Sequence, residues 1–485
     1  MTKYVFTLII FLLGLIPQHA VAQLPEEELF LTEPDADDAG RHFTPDIFRY
    51  RICFKDKAGS PYSLERPEEF LSVKSLARRE KFGLKVDEYD LPVSPAYLKH
   101  LRDKGFRVLH QSKWNNSAVI ETTDTLGAES LQEVDFIASV TRVWQAMQEK
   151  EDEPTLDYLT GFPVPDLTAD TTRSVSPYGP NPHQVAHLGV DSLHAIGLRG
   201  QGVTIAVIDG GFKCADRIAG LRGVNIVGTK NFVDTGDIYA TSGDHGTMVL
   251  SCLAAFRPFQ LIGTAPGADY YLILSEDRAS EYPVEEDAWC AAIEYADSVG
   301  VDLVNSSLGY TQFDTETMNH TYQDLDGQTA PCSCAASLAA SRGIVVVNSA
   351  GNSGNDTWKL IGTPADGRDI LAVGAVDDKG LNTFFSSLGP SIDGRIKPDV
   401  MAMGDEVWVY DSEGQLTQAD GTSFASPLLC GGVACLMQAF PTMKPTEIIR
   451  LVKASGHNAQ HPDNVFGYGI PNLWKAYVSM SQTHP

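Results

Sequence analysis

Three short stretches of this chain carry side chains that could do chemistry together. Ile205-Ala-Val-Ile-Asp209-Gly-Gly ends an apolar run on a carboxylate, and Asp244-His245-Gly-Thr-Met-Val sets a histidine at the mouth of an apolar helix. Gly421-Thr-Ser423-Phe-Ala-Ser-Pro427 sets a serine at the start of another helix, rich in Gly and Ala. A serine hydroxyl is inert near neutral pH and becomes a nucleophile only when a base takes its proton. Imidazole is such a base when an acceptor fixes its tautomer through the other ring nitrogen, and a strand-end carboxylate is a suitable acceptor. A helix N-terminus under the serine adds main-chain N–H groups and a positive dipole where an oxyanion develops. Taken singly, the Asp reads more readily as a cap or turn residue, the His as a structural one and the Ser as a helix cap. Their order, each at an element junction, gives them a joint meaning.

Such junctions need a sheet to hold them. Val203–Ile208, Tyr270–Leu274, Leu303–Ser307, Ile344–Asn348 and Ile370–Val376 are short apolar runs, and helical stretches at Thr247–Phe256, Ala288–Ser298 and Ser333–Arg342 separate several of them. Strand–helix alternation predicts an α/β fold with a mainly parallel sheet covered by helices on both faces, where ligands bind at the carboxyl ends of the strands. Upstream, a smaller α+β unit is expected. Its strands fall at Tyr50–Phe54, Phe106–His110, Ser117–Thr122 and Phe136–Trp144, and its helices at Pro67–Phe82, Pro95–Lys104 and Leu126–Val134. Charge and proline without periodicity, from Glu149-Lys-Glu-Asp-Glu-Pro154 onward, mark a linker between the two.

The chain has 485 residues, 43% of them hydrophobic and 21% charged, a globular balance. With 37 Lys and Arg against 63 Asp and Glu, the net charge of −26 argues against nucleic acid or an anionic membrane surface as a partner. Lys3, the apolar run Val5–Ile16 and Ala20-Val-Ala22 have the layout of an export signal, cleaved near Gln23. That run is too short to span about 30 Å of hydrocarbon, so no membrane anchor is expected. The eight cysteines show no disulfide framework, and Cys430 and Cys435 read as buried thiols in an apolar helix.

In this setting the motifs resemble those of the subtilisin-like serine proteases, the subtilase family. Asn305-Ser-Ser-Leu-Gly309 is similar to its substrate-binding strand, Ser349-Ala-Gly-Asn352-Ser-Gly354 to its oxyanion loop, and Gly421-Thr-Ser423 to its nucleophile motif; Ile396-Lys-Pro-Asp-Val400 is a further hallmark. The resemblance runs from about Ser174, where Ser-Val-Ser-Pro-Tyr-Gly looks like a mature N-terminus. It implies Asp209, His245 and Ser423 as a triad, Asn352 as oxyanion donor, and Ser307, Leu308, Gly309, Ala350 and Gly351 as substrate-binding residues. It divides the chain into a signal peptide (1–22), a leader and propeptide domain (23–145), a linker (146–173) and a peptidase domain (174–485). The implied protein is a secreted endopeptidase made as a zymogen, periplasmic or extracellular, monomeric, and acting on peptide or protein with its own propeptide as partner. No cofactor is needed for the chemistry.

The chain departs from the family in places. Met248 stands where a second histidine is common, and Phe256-Arg-Pro-Phe-Gln-Leu-Ile replaces the loop of the family's tightest calcium site, which is therefore expected to be missing. An insertion at Thr311–Cys334 carries Asp314, Asp324 and Asp326; Asp324 and Asp326 could supply oxygen ligands to a structural calcium, or form a solvated acidic turn. Asp277, Glu281, Glu285, Glu286 and Asp287 crowd the segment that walls the upstream subsites in subtilases; they read equally as a field that would favour Lys or Arg before the cut and as an acidic surface loop with no contact to peptide. Two other classes compete. A catalytically dead binding module would not need all of Asp209, His245, Ser423 and Asn352. A dinucleotide-dependent oxidoreductase fails because Gly200-Gln-Gly202 precedes its strand and no GxGxxG opens a helix after Asp209.

Overall fold

The computed structural model describes residues 46–146, 176–240 and 243–483. The expected signal peptide, the leader, nearly all of the linker and the start at Ser174 lie outside the described residues.

A four-stranded antiparallel sheet comes first, from β1 (Phe48–Phe54), β2 (Arg107–Ser112), β3 (Ser117–Thr122) and β4 (Ile137–Gln145), in the order β2-β3-β1-β4. Alternation builds it: Tyr50, Ile52 and Phe54 of β1 are buried while the residues between them are only partly so. The helix expected at Pro67–Phe82 is broken in two. Pro67–Glu69 is a single 3-10 turn, and helix α1 starts afresh at Val73–Phe82 because Ser72 caps it, its hydroxyl accepting from Ser75 N at 3.1 Å. Gly83, in the left-handed region at φ 66°, ends it. Helix α2 is Pro95–Asp103.

The second sheet has seven strands. They are β5 (Thr204–Asp209), β6 (Asn225–Asn231), β7 (Asp269–Leu274), β8 (Leu303–Ser306), β9 (Val345–Ser349), β10 (Leu371–Val376) and β11 (Val400–Met403). Their order is β11-β10-β9-β8-β5-β7-β6, and every pairing is parallel. The inner strands are buried end to end, the mark of a sheet covered on both faces. Successive residues of β5 divide between the layers. Ile205 and Val207 pack with helices α3 (His245–Ala254) and α6 (Thr422–Ala439), whereas Ala206 and Ile208 pack with α4 (Val284–Val299) and α5 (Pro331–Ser341). Each such Val or Ile contributes about 1.5–3 kcal/mol on burial. Helix α6 is long and apolar enough to cross a membrane by composition, but 89% of it is buried as the core helix of this domain. The chain leaves β5 toward β7 and β6, then returns to β8 on its other side. That reversal opens a crevice at the carboxyl ends of β5 and β8.

The small sheet and α1 pack on α4. Arg51 of β1 meets Asp287 at 2.6 Å and Pro283 O at 3.0 Å. Glu294 accepts from Ser112 Oγ (2.5 Å), Lys113 N (2.9 Å) and Trp114 N (3.1 Å). Asp297 takes Arg78, Arg79 and Lys113 together, and the Trp114 ring sits in the cluster that holds Trp289. All eight cysteines are free thiols, with Cys252, Cys290, Cys332, Cys430 and Cys435 buried.

Candidate active site

Asp209, the last residue of β5, is fully buried. Its Oδ1 accepts from His245 Nδ1 at 2.7 Å and from Gly210 N at 2.8 Å, while Oδ2 has no partner among the described residues. The residue after the histidine has to be small. A Cβ on Gly246 would stand 2.6 Å from Gly211 O and 3.0 Å from Asp209 Cβ, so glycine there lets α3 dock on the end of β5. Burial pushes the His245 imidazole down, but the charge and hydrogen bond of Asp209, with Glu276 adding to them, hold it above its ordinary value.

Ser423 lies in the first turn of α6, after Gly421 at φ 147°. Four residues on, Pro427 has no N–H to give Ser423 O, so that carbonyl would be orphaned inside the helix. Ser307 Oγ donates to it at 2.8 Å instead, and the Ser423 hydroxyl rests on Ser307 O at 3.3 Å. The proline thus exposes a carbonyl that ties the nucleophile's turn to the end of β8.

The Asn352 amide is oriented by its acceptor end. Oδ1 takes Thr422 N at 2.9 Å and Thr422 Oγ1 at 3.0 Å, which leaves Nδ2 as the donor end available to the cleft that Asn352 lines. Thr422 Oγ1 in turn accepts from Gly351 N at 3.1 Å. Gly351 has φ 109°, and a Cβ there would meet Ser387 Oγ at 2.8 Å, so only glycine fits the loop.

His245, Ser423 and Asn352 line one cleft of about 560 Å³, with Ser307, Leu308, Gly309 and Gly351 along its wall. Ala350 is not on that wall. Its methyl is fully buried beneath the loop with Leu325, Ile361, Ala365 and Ala372, so among the residues expected to bind substrate it acts as support. Met248 is buried in the core of α3.

Asp324 and Asp326 are local caps. Asp324 Oδ2 accepts from Thr321 N (2.7 Å) and Thr321 Oγ1 (2.9 Å). Asp326 accepts from Gln328 N and Thr329 N, both at 2.7 Å, and from Thr329 Oγ1. Oxygens already facing N–H and O–H donors do not fit a calcium cage, and among the described residues no third acidic group joins them.

The acidic segment divides. Glu286 pairs with His320 at 2.9 Å, Asp287 is taken by Arg51, and Asp277 stays half-exposed outside the cleft lining. Glu281 lines the cleft, together with Glu276 and Arg278, which the sequence motifs did not single out. Glu276 follows β7 by two residues, and strand-end position was the available signal. Burial and the Asp209 charge push its carboxyl up to about 7.

Comparison with known proteins agrees with this geometry. The profile of the subtilase family matches residues 200–469, and that of the peptidase S8 propeptide domain of Bacteroidota matches residues 49–156. The chain is 31% identical to subtilisin DY of Bacillus licheniformis over 297 residues, 60% of this chain and 97% of that protein. It is 27% identical to subtilisin E of Bacillus subtilis over 375 residues, 76% and 82% respectively. The fold is shared with the epidermin leader peptide processing serine protease of Staphylococcus aureus, at a TM-score of 0.61 and 18% identity, covering 90% of this chain and all of that one. The chain belongs to the subtilase family: it is a serine peptidase, a hydrolase that carries its own propeptide domain.

Proposed function

We propose that the chain is an exported endopeptidase, made as a zymogen, that hydrolyses peptide bonds through an acyl-enzyme on Ser423. The observation that carries this reading is the 2.7 Å contact of Asp209 with His245 Nδ1, in the cleft that Ser423 and Asn352 share. With Nδ1 held by Asp209, the other ring nitrogen is left as the base. The Ser423 hydroxyl is free to be claimed, since its 3.3 Å contact to Ser307 O is long for an O–H donor. His245 takes that proton as Ser423 Oγ attacks the scissile carbonyl, then gives it to the leaving amine. Asn352 Nδ2 and the main-chain N–H of Ser423, at the positive end of α6, receive the oxyanion. Water then enters by the same route and hydrolyses the ester, with His245 again as base. None of these steps uses a metal.

Domain order supports the zymogen reading. Strand β4 ends at Gln145, and Trp144 Nε1 donates to Ser280 Oγ at 3.3 Å, next in sequence to the cleft-lining Glu281. A tethered segment meets the site at high effective concentration, and the first cut is intramolecular. The Ser423→Ala chain should accumulate uncut except for residues 1 to about 22, while the wild type yields a fragment beginning between Ala146 and Pro180. Cleavage of purified Ser423→Ala protein in that window, with no other protease present, would mean that another enzyme activates it.

A further inference from the structure

Glu276, Glu281 and Glu285 bring their carboxylates together at the cleft, where the His245 and Arg278 charges act on Glu276 alone of the three. One oxygen from each lies within 4.8 Å of the others, and Glu276 and Glu281 line the cleft. Glu285 stands behind them, 2% exposed, with its two oxygens fixed by Asp277 N (2.9 Å) and Tyr282 N (3.2 Å). Among the described residues none of the three has a Lys or Arg partner within 4 Å. Arg278 also lines the cleft, but it lies 3.9 Å from Asp244 and is 51% exposed. Crowding is visible in the acidities. Burial first, then Asp209 for Glu276 and the neighbouring glutamates for the other two, push them to about 7, 8 and 10. Three carboxyls so placed hold on to protons that an arriving cation would displace.

A second observation concerns a buried hydroxyl near the same acids. Tyr310 is fully buried, and its hydroxyl has no hydrogen-bond partner among the described residues. After burial, the charges acting on that hydroxyl most strongly are Glu276 and Glu285. A buried phenol without a partner costs about 1–3 kcal/mol, so this hydroxyl has hydrogen-bonding capacity left to offer a polar group.

The recess is placed to meet substrate. Ser307 O touches the nucleophile, Leu308, Gly309 and Thr311 continue along the cleft, and the Tyr310 ring between the last two turns into the core. An extended peptide advances about 3.3 Å per residue beside such a wall, which puts the recess roughly two to four residues from the cut.

We propose that Glu276, Glu281 and Glu285, with Tyr310 at their back, form a subsite for the ammonium or guanidinium group of a substrate Lys or Arg two to four residues before the scissile bond. This rests on reading the cleft as a peptidase active site. The peptide's cation enters from the open side bounded by Glu276 and Glu281 and displaces the protons these crowded carboxyls hold, above a Glu285 carboxyl fixed by Asp277 N and Tyr282 N.

The test compares peptides that differ only at those upstream positions, with Lys, Arg, Gln or Glu, cut by the self-processed wild type and by the Glu281→Gln and Glu281→Lys variants at low salt. For a half-buried charge pair, kcat/KM for the best Lys or Arg peptide should exceed that of its Gln counterpart by about tenfold. The ratio should fall toward one in Glu281→Gln and invert in favour of Glu in Glu281→Lys. Equal cleavage of Lys, Gln and Glu peptides by the wild type would overturn the subsite and leave the peptidase reading intact. No cleavage of any peptide, with no fluorophosphonate adduct on Ser423, would remove both. A preference for Glu peptides that appears with added calcium and vanishes with chelator would assign the three glutamates to a metal and overturn the proposal.

Discussion

Acidic residues on two neighbouring stretches of the peptidase domain have opposite fates. Along α4, Asp287, Glu294 and Asp297 recur at helical spacing, and each is answered by the propeptide domain: Arg51 for the first, main-chain N–H groups and Ser112 for the second, and Arg78, Arg79 and Lys113 for the third. Some ten residues earlier, Glu276, Glu281 and Glu285 are as crowded and, among the described residues, form no ion pair with Lys or Arg. Burial would raise the Asp297 carboxyl, yet Lys113, Arg79 and Arg78 hold it well below the carboxylate range, whereas the cleft glutamates are pushed up. Saturated charge within one chain builds an interface; unsaturated charge facing a cleft awaits something that is not part of the fold.

The largest effect expected from this contrast is at Asp297. Asp297→Ala leaves Arg78 and Arg79, 3% and 1% exposed, as buried charges without their shared partner. Denaturant unfolding of the Ser423→Ala precursor should show a loss of about 3–5 kcal/mol, and a loss under 1 would mean that water already reaches the cluster. Glu294→Ala should cost less, about 1–3 kcal/mol in the same assay, because the groups it abandons are neutral N–H and O–H donors. Neither change touches the cleft, so turnover by mature enzyme should stay close to wild type.

Titration separates the two regions by sign. Asp297 has a depressed acidity, so its contribution is complete above the ordinary carboxylate value of 3.8 and is lost only as pH falls below it. Glu281 is raised from 4.5 to about 8. Across that window the folded chain keeps a proton the unfolded chain has released, and stability declines as pH rises. Melting temperatures of the Ser423→Ala precursor should fall between those pH values, and the fall should be shallower in Glu281→Gln. A slope unchanged by that substitution would place the declining stability elsewhere. The smallest effect is on catalysis. Glu276 helps hold the His245 pKa up, so Glu276→Gln should move the rise of kcat/KM toward lower pH, by less than about one unit.

Much of this was legible in the sequence, for physical reasons that differ by region. β9 and β10 are Val-rich runs buried on both faces, and such strands read directly as hydrophobicity. β6, Asn225–Asn231, escaped because its only apolar pair, Ile226-Val227, stands between polar Asn, Gly, Thr and Lys, too short a run to read as a strand. Asp209, His245, Ser423 and Asn352 sit in compact motifs whose chemistry is local. The acidic groups were harder, because charge alone does not say which way a side chain faces. Glu285, Glu286 and Asp287 are consecutive, yet Glu285 turns to the recess, Glu286 to His320 and Asp287 to Arg51. Ala350 shows the same limit: its neighbours in the loop line the cleft, and its own methyl faces the core.

The central claim is that His245, held by Asp209, activates Ser423. Treating the processed enzyme with a fluorophosphonate and mapping the adduct by mass spectrometry tests it most directly. The account predicts one adduct per chain, on Ser423, with peptidase activity lost in proportion, and labelling slowed by at least about 10³-fold in His245→Ala. An active enzyme that carries its adduct on another residue, or a His245→Ala chain labelled at the wild-type rate, would contradict it.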